Sequence, residues 1–162
     1  MNPRVGGCHS GGRFTIGRVG EQGFEIRRLG AGDVEAVLDA AVLFDATPRR
    51  DWTEQFLTRQ GHHLLIGYLG DTPVGFISGV ETVHPDKGVE MFVYELGVDE
   101  PYRRRGIAGA LVGELLHIAR TNGCYGMWVP TETDNEAALA TYRAAGAQPP
   151  EEAVTLTWSF TT

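Results

Sequence analysis

The stretch PYRRRGIAGALVGELL, residues 101–116, decides the fold because a basic loop passes directly into an amphipathic helix. Ile107, Leu111 and Leu115 recur on one face of that helix. The strand-like run VYELGV, residues 93–98, precedes the loop. A glycine-containing basic loop between a buried strand and a helix N-terminus favours an anion, because free amide groups and the helix dipole both attract negative charge. We therefore expect a pyrophosphate group to bind at this loop.

The same loop has simpler interpretations. Its three arginines could form an exposed charged corner, and Gly106 could merely shape the turn. A nucleic-acid patch is a third interpretation, but the chain carries 21 acidic against 14 basic residues. We therefore expect no nucleic-acid partner.

Patterns on either side of the loop predict an α/β (α+β) fold with a mixed sheet. Strands are expected at 24–29, 63–70, 72–83, 89–98, 124–130 and 154–160, and helices at 33–44, 51–60, 107–122 and 133–146. The last helix opens on the capping box at residues 133–136 and closes at Gly146. Hairpins give antiparallel neighbours and β-α-β crossovers give parallel ones, so the central mixed β-sheet should be flanked by helices on both faces.

Length and composition predict a single domain. The chain has 162 residues, of which 42% are hydrophobic. The domain is expected to span residues 23–162, and residues 1–22 should be a poorly ordered glycine-rich leader. The three tryptophans are expected in the core or at an interface rather than in a stacking platform for bases: Trp52, Trp128 and Trp158.

Charge and cysteine usage indicate a cytoplasmic protein that binds a cationic ligand. Two cysteines, Cys8 and Cys124, do not make a disulfide framework, and the N-terminus lacks the apolar region of a secretory signal. The longest apolar stretch is too short to span a membrane. A net charge of −7 favours cationic small molecules or basic peptides. His62 and His63 should point to opposite faces of a strand, and we expect no metal site.

Two motifs resemble one enzyme family. Arg103-x-x-Gly106-x-Ala108 is similar to the pyrophosphate loop of the GCN5-related N-acetyltransferases (GNAT), and Asn135-x-x-Ala138-x-x-x-Tyr142 resembles their next helix. The resemblance covers about residues 23–160 and implies the GNAT fold with acetyl-CoA as cosubstrate. The cofactor-binding residues that it implies are Leu96, Gly97, Val98, Arg103, Arg104, Arg105, Gly106, Ile107, Ala108, Gly109, Asn135, Ala138 and Tyr142.

Within that family, the stretches FVYELGVDEPYRRRGIAGALV and PTETDNEAALATYRAAGA look most like the type I aminoglycoside 3-N-acetyltransferases. Those enzymes carry an acidic residue after a tyrosine in the same strand, and Tyr94-Glu95 matches this in kind, with Glu where Asp is expected. The resemblance implies acetylation of an amine on an aminoglycoside antibiotic, antibiotic resistance and a homodimer. Alternatives are acetylation of a protein N-terminus, a polyamine or another small amine, or a noncatalytic acetyl-CoA-binding module.

The resemblance implies direct transfer in a ternary complex, which assigns a role to each group. Glu95 would accept the proton of the amine, and Tyr142, protonated at pH 7, would donate to the leaving thiolate. Carboxylates expected to attract a cationic substrate are Asp45, Glu95, Glu132 and Asp134.

Each of these residues also has a structural interpretation. An internal arginine could pair with Glu95, and Tyr142 could be a core tyrosine. Gly97 could mark a bulge, or it could only accommodate close packing. Asp45, Glu132 and Asp134 could be solvated or helix-capping charges.

Overall fold

A computed structural model describes residues 13–14 and 23–160 of the chain. The strands are β1 (Arg13–Phe14), β2 (Phe24–Leu29), β3 (His62–Leu69), β4 (Thr72–His84), β5 (Gly88–Val98) and β6 (Met127–Trp128). The α-helices are α1 (Val34–Asp39), α2 (Arg50–Thr58), α3 (Ile107–Thr121) and α4 (Glu136–Ala144). Short 3₁₀ turns lie at Ala41–Leu43 and Glu100–Tyr102. No described helix has the length and apolar character that crossing a membrane requires.

The strands form one mixed sheet in chain order. Neighbours from β1 to β5 are antiparallel, and β6 runs parallel to β5 with Met91 opposite Met127 and Phe92 opposite Trp128. The parallel pair is joined by α3, as a β-α-β crossover requires. The predicted mixed sheet flanked by helices is confirmed.

On one face of the sheet, α3 packs against the central strands. Its apolar stripe, which contains Ile107, Leu111 and Leu115, is fully buried, as the helical spacing predicts. Side chains of β5 join the same cluster from Met91, Val93, Leu96 and Val98, and Tyr142 of α4 packs against it.

The opposite face is covered by α1, the first 3₁₀ turn and α2. These elements pack on β2, β3 and β4 around Phe76, which is 1% exposed. Phe44 lies against the Phe76 ring with centroids 4.4 Å apart. We call this the acceptor face, because the candidate acceptor residues described below lie on it.

A β-bulge interrupts β5 at Tyr94. Ser78 of β4 is opposite Glu95, whereas the next residue, Gly79, is opposite Val93, so Tyr94 is the extra residue. Before the bulge the odd-numbered Met91 and Val93 face α3, and after it the even-numbered Leu96 and Val98 do. The bulge therefore turns Tyr94 and Glu95 away from the α3 core.

Some predicted boundaries are wrong. The strand expected at 154–160 does not form, and its side chains are exposed. The strand expected at 124–130 shortens to Met127–Trp128, so little paired edge is left for a further strand. The first helix ends at Asp39 rather than near Phe44.

Of the two places expected for the tryptophans, the core is excluded, because Trp52, Trp128 and Trp158 are 63%, 49% and 75% exposed in the chain; an interface stays a prediction. Of the expected leader, residues 13–14 pair with β2; Cys8 and the other leader residues lie outside the described part.

Candidate functional site

The candidate site lies where β5 and β6 separate. The registered pairs between these strands are at Met91 and Phe92, and the Tyr125 amide donates to the Val89 carbonyl at 2.9 Å on the side away from Tyr94. From Tyr94 to Val98, β5 is therefore paired only with β4 among the described strands. Alternate backbone groups along this segment point to the open side of the strand, where an extended ligand could pair with them. We call this opening the β5–β6 fork.

The basic loop beyond the end of β5 has an uncommon backbone. Arg104 has φ 62° and Gly106 has φ 80°, so two left-handed residues flank Arg105. The Nε of Arg103 donates to the carbonyl oxygen of Val98 at 3.0 Å, and the Nη2 of Arg105 donates to that of Pro101 at 3.1 Å. The side chains thus tie the loop to the strand end and to the preceding turn.

The N-terminus of α3 is open to a ligand. No side chain caps it, and the first helical hydrogen bond runs from the Ala110 amide to the Gly106 carbonyl. The amides of Ile107, Ala108 and Gly109 are therefore left without helical partners. No atom lies within 4 Å of a Cβ built at Gly106 or Gly109. Together with the three exposed arginines, these groups fit the chemistry of a diphosphate.

Gly97 allows close packing between β4 and β5. A Cβ built at Gly97 would lie 2.8 Å from Cε1 of Phe76 and 3.4 Å from the Leu43 carbonyl oxygen. The bulge lies at Tyr94, three residues earlier, so the suggestion of a bulge at Gly97 is wrong. The close approach expected there is present, and it is a contact with protein atoms.

Glu95 is a half-buried carboxylate on the acceptor face. Burial raises its pKa, and the charge of Asp45, in the segment after the first 3₁₀ turn, raises it further. No described side chain forms a hydrogen bond or ion pair with Glu95, so the internal arginine partner considered above is absent from the described chain. The fold thus brings together two of the predicted acidic residues, Glu95 and Asp45.

The other two acidic residues lie apart from this pair. Glu132 and Asp134 are exposed in the segment between β6 and α4. Neither is among the charges that act on Glu95.

Tyr142 is held by α4 against the α3-side core. Its ring is half-buried, and this burial raises the pKa of the phenol above its ordinary value. The hydroxyl makes no hydrogen bond with another described residue and is not sealed from solvent. Tyr142 is therefore a protonated phenol at neutral pH with a free donor.

Asn135 is the N-cap of α4. Its Oδ1 accepts a hydrogen bond from the Ala138 amide at 3.1 Å. The helix begins at Glu136, so the cap is Asn135 two residues later than expected, and the capping box predicted at Thr133 is wrong because Ala138 occupies the third helical position. Two of the predicted cofactor-binding residues, Asn135 and Ala138, thus bond to each other.

Sequence reasoning missed an aromatic cluster at the fork, formed by Phe92, Tyr94 and Trp128. Phe92 contacts Trp128 with ring centroids 4.5 Å apart, and Tyr94 with centroids 6.0 Å apart. The change from odd to even apolar positions along β5 is the signal that could have predicted the bulge. Groups of three or more potential metal ligands are absent from residues 13–14 and 23–160.

Comparison with known proteins identifies relatives of this chain by sequence and by fold. Residues 34–147 match the acetyltransferase (GNAT) family. N-alpha-acetyltransferase RimI of Mycobacterium tuberculosis is 38% identical over 87 residues, 54% of this chain and 52% of that protein. Human N-acetyltransferase 8 is 28% identical over 116 residues, 70% of this chain and 50% of that protein. The chain thus spans about half the length of these two relatives.

Solved structures share the fold at low identity. An aminoglycoside acetyltransferase from an uncultured soil metagenomic sample, in complex with sisomicin, has a TM-score of 0.78 at 18% identity, covering 85% of this chain and 97% of that one. AAC(6')-Iy in complex with CoA has a TM-score of 0.72 at 18% identity, covering 85% and 95%. The family match spans most of the folded part of the chain, from α1 to the end of α4. The chain belongs to the GNAT acetyltransferase family.

Proposed function

We propose that the protein transfers an acetyl group from acetyl-CoA to an amine of an aminoglycoside by direct attack in a ternary complex. The observation that carries the proposal is the half-buried carboxylate of Glu95 at the β5–β6 fork, on which the exposed carboxylate of Asp45 acts. A cationic amine would compensate two like charges that no described cation pairs with. The sisomicin-bound neighbour of the same fold supports an aminoglycoside as the amine.

The basic loop and the first turn of α3 are the residues that would hold acetyl-CoA. The amides of Ile107, Ala108 and Gly109 would donate to its pyrophosphate, and Arg104 and Arg105 would add positive charge. The open edge of β5 from Leu96 to Val98 would receive the pantetheine arm. When bound, acetyl-CoA supplies an activated acetyl thioester.

Glu95 would deprotonate the incoming amine. A substrate amine is charged at neutral pH and becomes nucleophilic only after its proton is removed. Burial and then the charge of Asp45 raise the pKa of Glu95, which makes its carboxylate a stronger base toward the amine proton. The proton would pass from the ammonium to a carboxylate oxygen of Glu95, directly or through water.

Tyr142 would hold the proton that the leaving sulfur needs. Its phenol keeps this proton at neutral pH because burial raises the pKa. As the carbon–sulfur bond breaks, the phenol would donate its proton to the sulfur to give the CoA thiol, and the phenolate would regain a proton from the newly acetylated nitrogen. The free hydroxyl is consistent with this role.

A second candidate substrate is the N-terminal amine of a protein. The observation that favours it is the 38% identity with the RimI N-alpha-acetyltransferase. A peptide amine would meet the same Glu95 and Tyr142, so the two candidates differ only in the acceptor.

Thiol release from acetyl-CoA tests the proposal. The full chain is assayed with sisomicin, spermidine and a basic peptide with a free N-terminus, beside Glu95→Gln and Tyr142→Phe. We expect turnover of sisomicin, with kcat reduced at least ~100-fold by either substitution, as for loss of a general acid or base.

Turnover of the peptide alone would transfer the assignment to protein acetylation. Tight binding of acetyl-CoA without turnover of any amine, unchanged in Tyr142→Phe, would indicate a noncatalytic acetyl-CoA-binding module.

A further inference from the structure

The aromatic cluster at the fork is a solvent-facing surface. Tyr94 is 71% exposed and Trp128 is 49% exposed. The ring of Phe92 stands edge-to-face with Tyr94, at an interplanar angle of 89°, and is tilted by 37° against Trp128. Contiguous exposed aromatic surface of this kind usually marks a binding site.

The cluster is exposed because the helices of the acceptor face end before they reach it. These helices pack over β2, β3 and β4. The 3₁₀ turn between them approaches β5 at Gly97, through the Leu43 carbonyl. Phe92, Tyr94 and Trp128 lie further along the sheet, where no described helix covers the acceptor face.

The β-bulge brings the cluster next to the carboxylates. Tyr94 is the bulged residue, and Glu95 follows it on the same side of the sheet. Without the bulge, Glu95 would share the face of Val93 and enter the α3 core. Glu90 approaches the cluster from its other end, where it accepts a hydrogen bond from Tyr125 Oη at 2.7 Å. A carboxylate thus lies at each end of the aromatic cluster.

We propose that Phe92, Tyr94 and Trp128 form an acceptor subsite that holds the non-reacting, positively charged part of a polyamine-like substrate while its reacting amine lies at Glu95. This inference rests on the proposed acetyl transfer. Cations bind over the faces of tryptophan and tyrosine rings because the ring quadrupole is negative there. The neighbouring carboxylates favour such a cation over an apolar partner, which would have to desolvate them.

Steady-state kinetics of two variants test the subsite. Trp128→Leu and Tyr94→Leu remove a ring face while keeping an apolar side chain. We expect KM for sisomicin to rise about 5- to 30-fold, the range of a single cation–π contact, with kcat changed less than about twofold. KM for acetyl-CoA and for cyclohexylamine, which has a single amine, should stay unchanged.

Trp52→Leu is the matched control. Trp52 is an exposed tryptophan on α2, and the guanidinium of Arg49 already lies 4.2 Å from its ring centroid. Its loss should leave every constant unchanged, and circular dichroism should show that all variants fold. Unchanged KM for sisomicin in both cluster variants would overturn the subsite.

A second copy covering the cluster is the competing occupant. If Trp128→Leu converts a dimer to a monomer in sedimentation while KM for sisomicin is unchanged, the cluster is an interface and the proposal fails.

Failure of acetyl transfer is a separate result. If the wild-type chain acetylates no amine, calorimetry of sisomicin and spermine binding to the CoA-saturated chain decides the subsite. Binding that is lost in Trp128→Leu supports it, whereas equal binding or none to the wild type overturns it.

Discussion

Gly106 matters both for the backbone conformation of the basic loop and for the binding of an anionic ligand to that loop. It begins α3 with φ 80°, and a Cβ there would have no neighbour within 4 Å. An alanine would therefore suffer backbone strain alone, about 1–2 kcal/mol. We expect Gly106→Ala to lower the free energy of unfolding in urea by about 1 kcal/mol. If the loop relaxes to relieve the strain, its amides move, so we expect acetyl-CoA to bind about tenfold more weakly in calorimetry.

Gly113→Ala is the control for this change. Gly113 is an exposed residue within α3, its φ is not positive, and no atom would contact the added Cβ. Alanine there should raise the free energy of unfolding by about 0.5–1 kcal/mol and leave acetyl-CoA affinity unchanged. Equal loss of affinity in the two variants would contradict the role given to the loop.

Asp45 offers a pH test of the carboxylate pair. Its charge raises the pKa of Glu95. Removing the charge in Asp45→Asn should lower that pKa, so Glu95 stays deprotonated in more acidic solution. We expect the acid limb of the kcat/KM profile to move to lower pH.

Glu132→Gln serves as the comparison, because the Glu132 charge does not act on Glu95. Its acid limb should coincide with that of the wild type. An acid limb that stays in place in Asp45→Asn would show that a group other than Glu95 sets it.

At the scale of elements, the β5 bulge decides which side chains enter the site. Continuous alternation along β5 would leave Val93 and Glu95 on one face, since side chains of a strand repeat every two residues. The extra residue of the bulge shifts the alternation by one position. Leu96 and Val98 therefore face α3, and Glu95 faces the opposite side of the sheet. If the bulge is ignored, apolar residues fall at both odd and even positions of β5, so the strand looks apolar on both faces. The shift in alternation is therefore easily overlooked in the sequence.

The contact between β4, β5 and α3 depends on Gly75. A Cβ built there would lie 2.9 Å from the Gly97 carbonyl oxygen and 3.1 Å from Cγ2 of Ile107. Because the first of these atoms is backbone, relief requires the end of β5 to shift. We expect Gly75→Ala to lower the free energy of unfolding by about 1–3 kcal/mol, measured by urea denaturation at unchanged m-value.

Weaker binding of acetyl-CoA should accompany that loss, because the displaced segment leads into the basic loop. Gly126→Ala, where no atom lies within 4 Å of the added Cβ, should leave both quantities near the wild-type values. A stable Gly75→Ala protein with full affinity would refute this account of the packing.

At the scale of the whole molecule, a polar network around the buried His63 joins three strands to the residue that follows α3. Arg28 of β2 donates through Nη2 to Nδ1 of His63 at 3.0 Å, and Nε2 of His63 donates to Glu81 of β4 at 2.8 Å. Asn122, after the end of α3, donates to the same Glu81 oxygen at 2.5 Å. His63 is 3% exposed. The arrangement requires a neutral imidazole, because a protonated ring could not accept from Arg28.

This network predicts that acid destabilises the fold. Burial first, and then the charge of Arg28, lower the pKa of His63 despite the hydrogen bond to Glu81. The unfolded chain therefore binds a proton at His63 near pH 6.5, while the folded chain does so only at lower pH. We expect the contribution of His63 to the free energy of unfolding to be fully present above pH 6.5. The free energy of unfolding should then decrease as the pH falls below that value.

Urea denaturation at pH 8 and pH 5.5 measures the effect. His63→Gln should reduce the difference between the two pH values, and His117→Gln, which alters an exposed histidine of α3, should not. This interval lies above the range in which Glu81 titrates, because hydrogen bonds from Asn122 and His63 lower its pKa although burial alone would raise it. A difference that is unaltered in His63→Gln would refute the role of the network.

Local patterns were sufficient to predict most of the architecture. The helical spacing of Ile107, Leu111 and Leu115 predicted the face of α3 that is buried, and the turns at Gly70 and Gly88 predicted the antiparallel strands around them. These features depend on interactions between residues close in the chain, which a sequence displays directly. The residues after Gly146 were predicted less well, because a strand forms only where a partner edge is available.

Residue spacing and composition were enough to predict the mixed fold, the basic loop with Gly106, and Glu95 and Tyr142 as candidate chemical groups. Only the tertiary structure decided that Asp45 acts on Glu95, that Gly97 packs against Phe76, and that three aromatic rings meet at the fork. The reason is that these contacts join separate strands and loops. Their geometry depends on strand register and on one bulged residue, and neither is encoded by the spacing of residues within a single element.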